Sequence, residues 1–211
     1  MIYPNFSEEK KLWKKGYKLV AGLDEAGRGP LAGPVVAAAV IFNFKFPNKF
    51  LIKQFPMIKD SKKMTVKQRE ATYEFLTNHP DIKWGVGIVS EKVIDKINIL
   101  EATKLAMKKA VGGVSDTPPD FLLLDGNFKL ENINLPQKSI IKGDSKVFSI
   151  SAASIIAKVT RDRIMQKYHK KYPEYNFLKH KGYGTKAHFA SLQKFGPCKI
   201  HRKSFYPVKF C

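Results

Sequence analysis

Val20-Ala21-Gly22-Leu23-Asp24-Glu25-Ala26-Gly27-Arg28-Gly29-Pro30 runs from small and apolar residues into two adjacent acids and then into a glycine-rich turn. Tyr17 to Asp24 and Val35 to Phe42 are largely β-branched and apolar on either side of Gly27-Arg28-Gly29-Pro30, a pattern that predicts two strands joined by a tight loop. Asp24 then stands at a strand end. Further along, Thr65-x-x-Gln68 is a capping-box pattern opening a helix over Thr65 to His79, with Ala71, Phe75 and Leu76 at helical spacing. Lys83 to Val89 predicts a third strand, and Ser90 can cap a helix that runs to Val111 and stops at Gly112-Gly113. Asp116 to Asp120, with Pro118 and Pro119, reads as a loop. Phe121-Leu122-Leu123-Leu124 is a continuous apolar run, as in a strand buried on both faces, and it ends abruptly in Asp125-Gly126-Asn127. Ser139 to Lys142 is a short candidate fifth strand, and a long helix is expected from about Val147 to Lys171, halting before Pro173. Lys186 to Phe195 is a shorter helix, followed by a basic tail. Paired strands followed by alternating strands and helices predict an α/β fold with a mixed sheet and a helical C-terminal part.

The 211 residues, 44% of them hydrophobic, suffice for one sizeable core. A single domain over 1–211 is expected, with about 1–16 as an N-terminal extension and about 172–211 as a helical segment and tail. The formal charge is +20, from 38 Lys+Arg against 18 Asp+Glu, which points to a polyanionic partner, nucleic acid first. Lysines solvated all over the surface would give the same total. The longest apolar run, Leu31 to Phe42, is broken by Gly33 and Pro34 and is too short for a bilayer, and residues 1–16 lack the pattern of a secretory signal. A cytoplasmic location is the expectation. Cys198 and Cys211 form no Cys-x-x-Cys pair, which argues against a disulfide framework or structural zinc. His169, His180, His188 and His201 show no ligand spacing and read as surface or nucleic-acid contacts. Gly85-Val86-Gly87 lacks the third glycine of a dinucleotide fingerprint, and no phosphate-loop motif occurs, so nucleotide cofactors are not supported.

Asp24 and Asp125 each end an apolar strand, where an unpaired charge is costly to desolvate. Two carboxylates on neighbouring strands repel unless a cation lies between them, and a divalent metal meets that need. Glu25 follows Asp24, but successive side chains on a strand point to opposite faces. Both acids reach one site only if the strand bends at Ala26-Gly27. Taken singly, Asp24-Glu25 could be an acidic strand end facing water and Asp125 an Asp-Gly turn.

The opening Val20 to Pro30 resembles the signature of the bacterial ribonuclease HII family. Asp60-Ser61-Lys62-Lys63, Asn98-Ile99-Leu100, Leu124-Asp125-Gly126-Asn127, Lys142-Gly143-Asp144-Ser145, Ser151 to Asp162 and His180-Lys181-Gly182-Tyr183-Gly184-Thr185 recur in that family's order. The resemblance covers about residue 17 to Val208. It implies a ribonuclease H-like, five-stranded mixed sheet flanked by helices, and a four-carboxylate site that falls on Asp24, Glu25, Asp125 and Asp144. Without it, Asp144 would pass as a residue favoured near the N-terminus of the long helix. Asp162, at the edge of that helix's apolar arc, reads as the partner of a basic neighbour, with a share in the site left open.

The resemblance further implies two-metal hydrolysis with Mg²⁺ or Mn²⁺. The implied substrates are RNA:DNA hybrids and duplex DNA containing ribonucleotides, cut on the 5′ side of the ribonucleotide to leave 5′-phosphate and 3′-hydroxyl ends. Gly27, Arg28 and Gly29 would let the backbone approach a sugar while Arg28 holds a phosphate, and Tyr183 would be the ribonucleotide-sensing tyrosine. Lys62, Lys181 and Lys186, in or beside these blocks, are candidate phosphate contacts. Two alternatives stand: a non-catalytic basic nucleic-acid-binding protein, and the sister ribonuclease HIII family. The latter typically carries Gly-Thr-Gly in place of Gly27-Arg28-Gly29 and an extra N-terminal domain. A monomer is expected, and Ser204-Phe205-Tyr206-Pro207-Val208 shows no Gln-led, aromatic-ending sliding-clamp motif.

Overall fold

Eight consecutive buried residues, Val35–Phe42, form the strand on which both layers of the molecule are built. The computed structural model describes residues 4–43, 64–114 and 118–210. The Asp60 to Lys63 block, and with it the candidate contact Lys62, lies outside them. Among the described residues the strands are β1 (Val20–Ala26), β2 (Val35–Phe42), β3 (Ile82–Val89), β4 (Phe121–Asp125) and β5 (Gln137–Ile140). The helices are α1 (Ser7–Lys14), α2 (Val66–Asn78), α3 (Glu91–Gly112), α4 (Phe148–Lys171), α5 (Phe177–His180) and α6 (Lys186–Phe195). The sheet order is β3-β2-β1-β4-β5; β1, β2 and β3 pair antiparallel, and β4 lies parallel to both β1 and β5.

Alternation along β2 divides the core. Ala38, Val40 and Phe42 pack with α4 through Phe148, Ala152, Ala153, Ile155 and Ile156. Ala37, Ala39 and Ile41 pack with α3 through Ile94, Ala102, Ala106, Met107 and Ala110. Burial on both faces is why this strand reads as an unbroken apolar run. Gly87, part of the incomplete fingerprint, has a packing role: a Cβ there would lie 1.9 Å from the Ala106 carbonyl oxygen, so α3 presses directly on β3.

Several local expectations shift. β1 begins at Val20 rather than Tyr17 because the Asp120 carboxylate accepts from the Lys18 and Leu19 amides at 2.6 and 3.0 Å, outside the sheet ladder. β5 covers Gln137–Ile140 rather than Ser139 to Lys142, because Lys142 adopts a left-handed φ of 57° and leads into a 3-10 turn, Gly143–Ser145. Ser90 makes no side-chain cap, and α3 breaks at Asn98, φ 66°, whose side-chain oxygen accepts from the Leu100 and Glu101 amides and recaps the helix. The capping box at Thr65 and Gln68 is present with both hydrogen bonds.

The described part of the N-terminal segment is integral to the body. Phe6 packs on Phe148 with ring centroids 4.4 Å apart, and buried Glu9 accepts from the Ser149 amide at 2.9 Å, satisfying a free N–H in the first turn of α4. At the other end, α5, α6 and residues 198–208 close over Leu31 and Ala32 around Met165, Tyr175, Phe177, Leu192, Ile200 and Val208.

Candidate active site

β1 and β4 run parallel with Leu23 opposite Leu124, so the next residue on each, Asp24 and Asp125, emerges at the same end of the sheet. The 3-10 turn beyond β5 brings Asp144 to that point. One carboxylate oxygen from each of Asp24, Asp125 and Asp144 lies within 4.8 Å of the others. The turn is tied to the end of β4, since the Gly143 amide donates to Asp125 Oδ1 at 2.7 Å.

Asp24 is 4% exposed and its carboxyl is held well above the usual range by burial, then by the charges of Glu25 and Asp125. A hydrogen bond from Ser154 on α4 and one from the Glu25 amide, 2.7 Å from Oδ1, offset only part of this. A cluster of hard oxygen donors that repel one another is a donor set suited to a divalent cation. Glu25 stands beside this group but is not one of the three. β1 stays regular through Ala26, the turn comes only at Gly27, and the Glu25 carboxylate faces Arg28 Nη1 at 3.5 Å. Asp162 is outside the group too, paired with Lys158 at 2.7 Å.

The glycine loop and Tyr183 come together although more than 150 residues separate them. A Cβ on Gly29 would sit 3.7 Å from Tyr183 Cε1, and Tyr183 is 45% exposed beside the loop. Gly27 has φ +101°, and a Cβ there would lie 2.1 Å from Arg161 Nε, so only glycine fits above that guanidinium. Lys181 is half-buried, donates to the Leu178 carbonyl, and has its pKa lowered by burial. Lys186 is exposed at the start of α6.

Two residues that sequence reasoning missed organise this loop. Arg202 is fully buried and donates to the carbonyls of Gly33 at 3.0 Å, Arg28 at 2.9 Å and Gly27 at 2.6 Å. Arg161 donates to Pro34, Lys181 and Ala32 at 3.0, 3.0 and 3.1 Å and lies 5.9 Å from the Tyr183 ring centroid. Burial pushes Arg202 down to about 9 and Arg161 down to about 10, and both remain cations at neutral pH. An arginine on the apolar side of α4 was a visible oddity. Arg202 has no local signature.

The histidines correct the sequence reading. His180, His188 and His201 are buried, not surface contacts, and pack around Phe177 with His180 stacked on His188 at 4.5 Å. Their ring nitrogens face backbone groups and one another, so imidazole polarity is satisfied inside the C-terminal core.

A mixed sheet of this order with carboxylates gathered at adjacent strand ends defines a class, the divalent-metal-dependent nucleases of the ribonuclease H type. The crystal structure of ribonuclease H2 from Pyrococcus horikoshii OT3 superposes with a TM-score of 0.71 at 29% identity, covering 91% of this chain and 96% of that one. Ribonuclease HII of Archaeoglobus fulgidus, solved in complex with PCNA, gives 0.71 at 25% identity, covering 87% and 93%. The chain belongs to the ribonuclease HII family: the family model matches residues 21–208. Ribonuclease HII of Acetivibrio thermocellus is 56% identical over 197 residues, 93% of this chain and 73% of the relative. It is therefore a ribonuclease H enzyme, and the non-catalytic and ribonuclease HIII alternatives give way. No helix among the described residues is long and apolar enough to cross a membrane.

Proposed function

We propose that the chain, as a single monomeric domain over 1–211, hydrolyses the RNA strand of RNA:DNA hybrids and cuts 5′ of ribonucleotides embedded in duplex DNA. The products are 5′-phosphate and 3′-hydroxyl ends. The observation that carries this reading is the convergence of Asp24, Asp125 and Asp144 within 4.8 Å at the mouth of a buried sheet in a strongly basic chain. Asp24, Asp125 and Asp144, with Glu25 beside them, would hold Mn²⁺ or Mg²⁺ ions, in a two-metal arrangement. Such ions, when bound, supply Lewis acidity at the phosphoryl group and activation of the attacking water.

The protein's own groups do the rest. Ser154 and the Glu25 amide orient the Asp24 carboxylate, and the Gly143 amide orients Asp125. The backbone of Gly27 and Gly29 can come close to a sugar, and Arg28, released from Glu25, can take a phosphate. Tyr183 reads the ribonucleotide by stacking and by its hydroxyl, since the 2′-hydroxyl is the only chemical difference at a single site. Lys62, Lys181 and Lys186 contact the phosphate backbone. The lack of a Gln-led motif in Ser204 to Val208 leaves sliding-clamp binding outside the proposed function. A duplex carrying one ribonucleotide, incubated with and without Mg²⁺ or Mn²⁺, tests the reading. Metal-independent cleavage, or none under either metal, would refute it.

A further inference from the structure

The His188 and His201 side chains form the inner end of a hydrogen-bond chain whose direction follows from the backbone groups at its two ends. His188 Nδ1 lies 2.9 Å from the Tyr183 carbonyl oxygen, which can only accept, so Nδ1 carries a proton and Nε2 of the neutral ring is a lone pair. At the other end, His201 Nδ1 lies 2.9 Å from the Cys198 amide and 3.3 Å from the Cys198 carbonyl oxygen, which already accepts from the His201 amide at 3.0 Å. Taking the shorter contact, the Cys198 amide donates to Nδ1 and the proton of a neutral His201 sits on Nε2. The two Nε2 atoms are 3.0 Å apart. The donor that His201 must offer there meets the acceptor that His188 must offer. Burial pushes both rings down to about 4, so neither is charged at neutral pH.

The chain ends on the loop that carries Tyr183. That carbonyl also accepts from the Thr185 amide at 2.9 Å, and the Tyr183 amide donates to the His180 carbonyl at 2.9 Å. His180 Nδ1 accepts from the Gly182 amide at 3.2 Å, with its Nε2 turned to the Tyr175 carbonyl at 2.7 Å. Tyr183 is thus exposed and held by its backbone, and among the described residues the side chain that meets its carbonyl is His188. We propose that His188 and His201, as a pair locked in opposite tautomers, are positioning residues that set the pose of Tyr183 against the Gly27 to Gly29 loop and so set ribonucleotide discrimination. This rests on Tyr183 being the ribonucleotide reader.

Two measurements test it. In the wild-type protein at neutral pH, ¹⁵N NMR of the imidazoles should find two neutral rings, with His188 protonated at Nδ1 and His201 at Nε2. The same tautomer on both, or a charged ring, overturns the proposal. In kinetics on a duplex with one ribonucleotide, His201→Leu removes the donor to His188 and should lower kcat by ~10-fold, the worth of one hydrogen bond, with KM nearly unchanged. His201→Gln restores a donor near the Nε2 position and should recover most of that loss. Should His201→Leu fail to fold, His188→Leu against His188→Asn, whose amide can still reach the Tyr183 carbonyl, makes the same comparison. Folded Leu variants as active as wild type, or no recovery with the amide variants, overturn the proposal. Tyr183→Ala run in parallel separates the two layers. If it cleaves as wild type, the reading of Tyr183 itself fails; if it is impaired while the histidine variants are not, only the positioning role fails.

Discussion

Asp24→Asn should make the metal-free protein more stable while abolishing its activity. The wild-type carboxylate is buried among other acids, with oxygens of Asp125 and Asp144 within 4.8 Å. At an effective dielectric of about 20, two unit charges about 4.8 Å apart repel by about 3 kcal/mol. Asparagine removes that repulsion and the charge burial, yet its Oδ1 can still accept from Ser154 and the Glu25 amide. Allowing about 1 kcal/mol for imperfect replacement of those hydrogen bonds, the net gain is about 2 kcal/mol. For a chain of this size that is a rise in Tm of about 4–8 °C. Because the folded-state pKa of Asp24 is raised, its favourable contribution is complete only at low pH, where it is protonated in both states, and is lost as pH rises through the raised value. The advantage of Asp24→Asn is therefore largest on the alkaline side. Thermal unfolding of both proteins in EDTA, at about pH 8 and about pH 5, reads the difference for the coupled acids Asp24, Glu25 and Asp125 together, since titrating groups remote from them cancel between the two proteins. With Mn²⁺ at about 100 times its Kd the wild type should gain about 2.7 kcal/mol and the variant far less, reversing the order. An equal or lower Tm for the variant at the higher pH in EDTA, or a gain that does not depend on pH, would refute the reasoning.

Asp125→Asn should cut cleavage of a ribonucleotide-containing duplex by at least about 100-fold, more than the loss of a group that merely supports a metal ligand, while filter binding changes little. Arg202→Met leaves the carbonyls of Gly27, Arg28 and Gly33 without donors and should cost about 3 kcal/mol in urea unfolding; an unchanged midpoint would deny the arginine its role. Affinity for a hybrid should fall by at least about 100-fold between about 50 and about 200 mM salt, measured by fluorescence anisotropy; a flat profile would mean the +20 charge is not used on phosphates. His188 and His201 are depressed to about 4, so the unfolded chain binds more protons between there and about 6.5. Their contribution to stability is present above about 6.5 and lost as pH falls toward about 4, and a double His188→Phe, His201→Phe variant should unfold with a flatter acid profile.

What could be read from the chain was local and periodic. Leu122 to Leu124 betrayed a strand buried on both faces because no alternation interrupts it, and the abrupt Asp125 marked where that strand leaves the core. Thr65 and Gln68 announced a helix start because a capping box is complete within four residues. The long helix α4 was placed to within one residue at its start, with Pro173 setting its end. The misses were long-range. Nothing in the sequence around His188 or His201 tells that each ring meets the other in the core, since the two are brought together only by the packing of residues 177–201 around Phe177. Asp144 reads as an ordinary helix-start acid until the left-handed Lys142 turns it back toward Asp125. Glu25 sits at the margin of the three aspartates, because β1 stays regular through Ala26 and its carboxylate faces Arg28 at 3.5 Å.

Arg202 clasps a loop that leaves the ribosome long before it does. Gly27, whose carbonyl it binds, precedes it by 175 residues, which at elongation rates of about 5–20 residues per second is roughly 9–35 s of synthesis. Through that interval the loop has no guanidinium from this side to hold it, and the pocket of Leu31 and Ala32 is open until Ile200 and Val208 arrive. A nascent chain that already carries Asp24, Asp125 and Asp144 thus still lacks the clasp on this loop, and the proposed competence to cut waits for the synthesis of Arg202.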